Sequence, residues 1–435
     1  MTLSRRTFLR GAAAAGGLAA AGGLRGVAGA ATRGARPSAL PSPSQSGIEH
    51  IVMVLMENRS FDHYLGWVAG ADGRQGGLTY KDATGKTHTT HHLTEWQGCG
   101  FNDPDHSYEG GRIQYAGGKL NGFRKGANDD YALGYYTEAD MVTNSSLVHN
   151  FTICDRWFCS ILAPTYPNRI YTHAAASDRI TNTMAVSSLP TIWDRLDGAG
   201  VSSAYYFSDA PVLALFGEKH LSKARPIGQF YLDAQLGNLA QYTYLDPFFV
   251  GEDQGGTNDD HPHADIRRGQ AFLSNVVKSV LESPQWSKTV LIITYDEWGG
   301  FFDHVRPPRL PDLFRPTAKE EHNTAGFRVP AYVVSPFARR GHVAHNQYDH
   351  TSMLKMVEWR FGLKPLTPRD AVARNIAEVL DFSAPNANPP EFPIVLDPGP
   401  HICELGAAGG LPLHDPMWTE FIETRVTRRW REIVS

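Results

Sequence analysis

Ile51-Val52-Met53-Val54-Leu55-Met56, followed at once by Glu57-Asn58-Arg59-Ser60-Phe61-Asp62, is the stretch on which the fold turns. A continuous apolar run with β-branched members reads as a strand buried on both faces, the mark of a parallel sheet covered by helices. The polar cluster begins where the strand ends. The same pattern returns at Thr289-Val290-Leu291-Ile292-Ile293-Thr294-Tyr295, which runs into Asp296-Glu297-Trp298-Gly299-Gly300. A third case is Val329-Pro330-Ala331-Tyr332-Val333-Val334, leading into Ser335-Pro336. Ligands of open parallel sheets gather beyond the carboxyl ends of the strands. Two of these ends deliver acids and an amide.

Helical patterns alternate with the strands. Residues 264–282 carry apolar positions at helical spacing and stop before Pro284. A second helix is expected over 351–361, with Asp349-His350-Thr351-Ser352 as capping material and Gly362 as its stop. Alternation of this kind predicts a three-layer α/β fold, a central mostly parallel sheet with helices on both faces. Residues 66–126 hold fourteen glycines and few apolar runs, and read as an extended loop region. The Pro-rich stretch 383–401 is expected to wrap the surface.

Of 435 residues, 42% are hydrophobic and 20% charged, which excludes a disordered, collagen-like or coiled-coil chain. Lys and Arg number 41 against 45 Asp and Glu, so no basic surplus points to nucleic acid. Residues 1–30 read as an address. Arg5-Arg6 sit within Ser4-Arg5-Arg6-Thr7-Phe8-Leu9-Arg10, ahead of an Ala/Gly/Leu stretch and the small residues Ala28-Gly29-Ala30. The pattern is that of a signal peptide for the twin-arginine export machinery, too short and Gly-rich for a membrane span. Cleavage would leave a chain without a transmembrane anchor, secreted or periplasmic. Residues 31–47 are Pro- and Ser-rich and read as a linker, leaving 48–435 as one catalytic domain. Four cysteines exclude a disulfide scaffold; three pairings are open, and one disulfide is expected.

Glu57, Asn58, Asp296 and Glu297 are the sharpest functional candidates. Hard oxygen donors on two strand ends suit a divalent metal cation, Mg²⁺, Ca²⁺ or Mn²⁺, and Zn²⁺ also accepts carboxylates. The plainer reading has these acids capping helices and pairing with arginines such as Arg59 or Arg169. Thr165 stands between Pro164 and Pro167, which stiffens the segment presenting its hydroxyl. Such a hydroxyl becomes a nucleophile only when a base or metal activates it. His106, His261 and His304 each sit beside acids, and each could hold a phosphoryl oxygen, protonate a leaving group or ligate metal. Trp157, Tyr166 and Trp298 read as core residues, with a cation–π cradle for choline as the alternative.

Taken in order, Val54-Leu55-Met56-Glu57-Asn58-Arg59-Ser60-Phe61-Asp62-His63-Tyr64, Ala163-Pro164-Thr165-Tyr166-Pro167-Asn168-Arg169 and Tyr295-Asp296-Glu297-Trp298-Gly299-Gly300-Phe301-Phe302-Asp303-His304-Val305 resemble the bacterial phosphoesterase family. Arg328 to Pro336 and Asp349-His350-Thr351-Ser352 fit it too, so the resemblance runs from about 48 to about 370. That family contains the non-zinc phospholipases C and the respiratory-burst-inhibiting acid phosphatases. The resemblance implies an alkaline-phosphatase-like fold and a metal site of Glu57, Asn58, Asp296 and Glu297. It makes Thr165 nucleophile and ligand, and brings His106, His261 and His304 to the phosphate. Asp296-Glu297 stands where the wider superfamily has an Asp-His pair, which favours a mononuclear site. The activity implied is phospholipase C-type hydrolysis of phospholipid head groups. The alternative is an acid phosphatase acting on monoesters, favoured by the little room before Ser435 for extra C-terminal β domains. A non-catalytic exported binding protein is the third reading, and the filled motif positions argue against it.

Overall fold

The computed structural model describes residues 40–314, 321–403 and 417–434. The twin-arginine segment and linker residues 31–39 lie outside the described residues. The last linker residues pack on the domain, with a short 3₁₀ turn at Pro43–Gln45 and Gly47 against the ring of Phe337.

Eight strands build the central sheet: β1 (His50–Met56), β2 (Thr152–Cys154), β3 (Ser203–Phe207), β4 (Ala224–Pro226), β5 (Tyr242–Leu245), β6 (Thr289–Tyr295), β7 (Ala331–Val334) and β8 (His342–Ala344). Their order across the sheet is β8-β2-β7-β6-β1-β5-β3-β4. β1 is parallel to both neighbours, pairing Met56 with Tyr295 on one side and Val54 with Leu245 on the other. All seven residues of β1 and of β6 are buried, as the unbroken apolar runs require. Each large aliphatic side chain so buried contributes about 1.5–3 kcal/mol, and a single aspartate at Val54 would break the arrangement.

One strand departs from expectation. β7 runs antiparallel to β6 and β2, so its carboxyl end points away from those of β1 and β6. Ser335 accordingly bonds the carbonyl of Thr289, at the start of β6, through a 2.9 Å contact. The third strand end therefore lies at the opposite end of the strands from Glu57 and Asp296.

The helices are α1 (Phe61–Leu65), α2 (Tyr108–Tyr115), α3 (Val142–Asn150), α4 (Thr165–Ala174), α5 (Ile192–Gly198), α6 (Ile227–Leu236), α7 (Ile266–Leu281) and α8 (His350–Phe361), with shorter pieces toward the C-terminus. Successive strand residues point to opposite faces. On β3, Tyr205 meets Trp193 of α5 while Tyr206 meets Phe230 of α6, so helices cover both faces. α7 and α8 match the sequence expectation within two residues at each end. Asp349 caps α8 by accepting from Thr351 N, and Gly362 ends it in the left-handed conformation, φ 66°. Residues 66–126 are less loop-like than expected. They contain α2 and a hairpin of Thr79–Lys81 with Thr87–Thr89, and His88 is enclosed between Asp82 and Asp130.

Cys99 pairs with Cys403 across a separation of 304 residues, while Cys154 and Cys159 are free and buried. Residues 383–401 carry no regular element; Arg268 pairs with Asp397 and Ser274 bonds Pro393 O, which straps this segment over α7. Among the described residues no helix is long and apolar enough to cross a membrane.

Candidate active site

Because β1 and β6 are adjacent and parallel, their carboxyl ends place Glu57-Asn58 beside Asp296-Glu297. The backbone seals the junction: Asp296 N donates to Met56 O at 3.0 Å, and Asn58 N donates to Asp296 Oδ1 at 3.1 Å. Asn58 sits at φ 60°, a left-handed conformation that a non-glycine residue adopts only when its surroundings impose it. Gly299 packs against the same turn, where a Cβ would collide with Asn58 O. Glycine is required there on steric grounds as well as for its φ of 63°.

The acids share one feature. Asp296 Oδ1 accepts from Asn58 N and from Glu297 N (2.7 Å), while Oδ2 accepts no hydrogen bond. Glu297 Oε2 accepts from Gly299 N (2.7 Å), while Oε1 is left without one. Asn58 Oδ1 and both Glu57 oxygens are likewise without a hydrogen bond, and all four residues are fully buried. Backbone amides thus fix each carboxylate of β6 by one oxygen and leave the other aimed into the site. Arg169 makes ion contacts to Glu57 Oε1 and Asp296 Oδ2, but one guanidinium does not balance three buried carboxylates. Hard oxygens without hydrogen bonds in a dry interior are costly unless a further cation takes them up. On this test Glu57, Asn58, Asp296 and Glu297 fit a divalent metal ion.

Thr165 is the first residue of α4, with Pro164 as its N-cap. Asn168 sets the approach: its Nδ2 donates to Ala163 O at 2.7 Å, and its Oδ1 accepts from Ile161 N at 3.0 Å. The Thr165 hydroxyl is buried and makes no hydrogen bond. One turn on, and so on the same face of α4, Arg169 reaches Glu57 Oε1 (3.2 Å), Asp296 Oδ2 (3.3 Å) and Asp246 Oδ1 (2.9 Å). The plainer sequence reading thus holds for Arg169, which pairs with two of the acids. Arg59 instead bonds Asp260 O and His63.

His106 and His261 meet edge to face at 5.5 Å between ring centres. His106 Nδ1 donates to Pro104 O (2.8 Å) and His261 Nδ1 to Pro262 O, so both rings turn Nε2 inward. His106 Nε2 then accepts from Asn58 Nδ2 at 3.4 Å and lies 3.9 Å from Glu297 Oε1. His106 is 12% exposed and Asp103 beside it 14%, whereas Glu57, Thr165, Asp296 and Glu297 are closed off, so solvent approaches past Asp103 and His106.

His304 belongs to a separate network. It bonds Asp62 Oδ2 at 2.5 Å and Asp72 Oδ1 at 3.1 Å, beside Arg328, which also holds Asp303 and Asp62. Its loop follows Asp303, whose pairing with Arg328 holds it beside Asp62 of α1. Trp157, Tyr166 and Trp298 are fully buried core residues.

Burial pushes Glu57 and Glu297 well above the usual carboxylate range; Arg169 opposes this at Glu57 and His106 at Glu297, while Asp296 adds to both. Asp296 is raised by burial too, against Arg169. Burial holds His261 far below its ordinary value, helped by His106, so the ring is neutral.

Three acids escaped the sequence reading. Asp246 follows β5 and repeats the strand-then-acid pattern, but in a four-residue strand containing Thr243 the signal is weak. Asp259 accepts Glu57 N through its carbonyl at 2.8 Å, and Glu252 lies 3.8 Å from His261 Nε2. Glu252 comes from a Gly-rich turn with no periodicity to read.

A family model described as Phosphoesterase family matches residues 48–364. The chain belongs to that family. Among similar proteins, non-specific phospholipase C1 of Arabidopsis thaliana is 34% identical over 385 residues, 77% of this chain and 71% of that protein. Phospholipase C B of Mycobacterium tuberculosis is 31% identical over 432 residues, 79% of this chain and 80% of its own. Among solved structures, a phosphonate monoester hydrolase of Agrobacterium radiobacter aligns with TM-score 0.39 and 9% identity over 78% of each chain. A member of the alkaline phosphatase superfamily from Vibrio parahaemolyticus aligns with TM-score 0.36 and 10% identity, over 70% of this chain and 71% of that one. This phosphoesterase is phospholipase C-like, a hydrolase of phosphoric esters.

Proposed function

We propose that this phosphoesterase is an exported, metal-dependent phospholipase C that cleaves head-group phosphodiesters with Thr165 as nucleophile. The observation carrying the reading is the Thr165 hydroxyl itself, buried without a hydrogen bond at the start of α4. It shares a helix face with Arg169, which touches Glu57 and Asp296. A buried hydroxyl left unbonded costs about 1–3 kcal/mol, a cost that a structural threonine avoids.

Glu57, Asn58, Asp296 and Glu297 would hold the divalent cation. When bound, it supplies Lewis-acid charge that favours the Thr165 alkoxide and the negative phosphoryl oxygens. Thr165 Oγ attacks phosphorus in line, its O–P bond forming as the bond from phosphorus to the glycerol oxygen breaks. His106, its Nε2 lone pair turned inward and His261 packed edge to face against its ring, takes the proton from the Thr165 hydroxyl and, as the imidazolium, delivers it to the departing alkoxide. Water then hydrolyses the phosphothreonine and returns the head group as its phosphate. The relatives' names, phospholipase C and non-specific phospholipase C, support the diester substrate. The twin-arginine segment supports export, and N-terminal sequencing of protein recovered outside the cytoplasm tests it.

The deciding assay compares p-nitrophenyl phosphorylcholine with p-nitrophenyl phosphate, with and without EDTA, in wild type and Thr165→Ala. Chelator-sensitive cleavage of the diester, lost in Thr165→Ala, is the expected result. Preference for the monoester would turn the assignment to acid phosphatase. Undiminished activity in Thr165→Ala would remove the nucleophile.

A further inference from the structure

Glu252 reaches the site from outside every motif. We infer that Glu57, Glu252 and His261 form a second divalent-cation site, sharing Glu57 with the site of Asn58, Asp296 and Glu297. The inference rests on the metal-dependent reading above and adds a ligand set to it. One ligand atom from each of the three residues lies within 4.8 Å of the others, and all three residues are buried. Cations that bind nitrogen and oxygen at about 2.0–2.6 Å hold their ligand atoms no more than roughly 4–5 Å apart. The spacing therefore encloses one ion.

The tautomer of His261 gives the direction. Pro262 O can only accept, so His261 Nδ1 carries the hydrogen, and Nε2 presents its lone pair toward Glu252 Oε1 at 3.8 Å. A lone pair facing carboxylates in a dry interior is repulsive unless positive charge lies between them. Asp259 supplies an independent sign. Its Oδ1 accepts from Thr257 and His261 N, while its Oδ2 is buried without a hydrogen bond. Arg169, the guanidinium in contact with Glu57, is already divided among three carboxylates. An imidazole with two carboxylates suits Mn²⁺ or Zn²⁺ better than Mg²⁺ or Ca²⁺.

The turn that carries Glu252 is fixed from behind. Cys403 N donates to Gln254 O at 2.9 Å, Cys403 is bonded to Cys99, and Gln97 Nε2 donates to His401 O at 2.7 Å. The loss of the Asp-His pair at the end of β6 therefore does not fix the metal count at one. A second ion would be held by the β5–α7 loop instead.

The test uses the full chain with its disulfide intact, stripped of metal and titrated with Mn²⁺ by calorimetry and electron paramagnetic resonance. Wild type is expected to take up two Mn²⁺ with an exchange-coupled spectrum. Glu252→Gln, nearly isosteric, should take up one and give an uncoupled six-line spectrum. Glu252→Asp should keep two, the second weakened by at least about tenfold. Urea unfolding of each variant shows that it is folded. One Mn²⁺ in wild type, bound equally by Glu252→Gln, overturns the second site and leaves the metal-dependent reading standing. Two Mn²⁺ retained by Glu252→Gln also overturns it. No Mn²⁺ or Zn²⁺ bound by wild type overturns both.

Discussion

Arg169→Met deletes the guanidinium that, among the described residues, touches Glu57, Asp246 and Asp296, at 3.2, 2.9 and 3.3 Å, while keeping most of the side-chain length. All four groups are fully buried. Removing one partner of a buried ion pair costs about 3–5 kcal/mol. Here one deletion strands three carboxylates, so the loss at pH 8 should lie near the upper limit, about 5 kcal/mol. Against a total stability of about 5–15 kcal/mol, that is a large share. The pH dependence follows from the directions. Burial pushes Asp246 up to about 6 from 3.8, and Glu57 and Asp296 are raised likewise, with Arg169 pulling each of them back down. A carboxyl raised in the folded state contributes stability below its unfolded value and loses it as pH rises through the folded one. Without Arg169 the folded values climb further, so the penalty should be larger at pH 8 than at pH 5. Urea unfolding in EDTA, followed by tryptophan fluorescence at both pH values, measures this. A loss under about 1 kcal/mol at pH 8, or a penalty larger at pH 5, would refute the claim that Arg169 neutralises these acids.

Reducing the Cys99–Cys403 bond, or replacing both residues by serine, should lower stability by about 2–5 kcal/mol in the same unfolding assay. His304→Asn should leave kcat within a few-fold of wild type, because the contacts of His304 are to Asp62, Asp72 and Arg328 and not to the acids at the ends of β1 and β6. Burial opposes charge on His304, but Asp62 prevails and raises its pKa above 6.5. Its stabilising share is therefore full below that value and fades as pH rises through the folded pKa, a step that stability–pH profiles should show in wild type and lose in the variant. Asp296→Asn should reduce diester hydrolysis by at least about 100-fold, yet be no less stable than wild type in EDTA, since it removes a buried charge.

The sheet's centre was legible because β1 and β6 are buried on both faces and therefore unbroken in their apolarity. Acids at the ends of such strands have few places to go, which is why Glu57, Asn58, Asp296 and Glu297 could be named in advance. β7 looked the same as β1 because burial sets composition, and burial says nothing about direction. β3, β5 and β8 mix Ser, Thr, Tyr or His with apolar residues, and β4 ends in Arg-Pro, so no run marked them. His304 illustrates another limit. A histidine following an acid is read identically whether its loop turns to the strand-end acids or to Arg328. Glu252 and Asp259 depend on how the loop between β5 and α7 folds back, a long-range event that adjacent residues do not encode.

The position of β1 has a consequence for how the chain is made. The strand that leads into Glu57 and Asn58 precedes the other strands of the sheet in sequence, yet it pairs with β5 and β6, which begin at Tyr242 and Thr289. At translation speeds of about 5–20 residues per second, β1 waits roughly 10–40 s on the ribosome before its first partner is synthesised. During that interval a largely apolar segment has neither neighbour, and pairing across so many residues is slow even once both exist. The strand that leads into the candidate site is thus a segment of the nascent chain that a chaperone would protect.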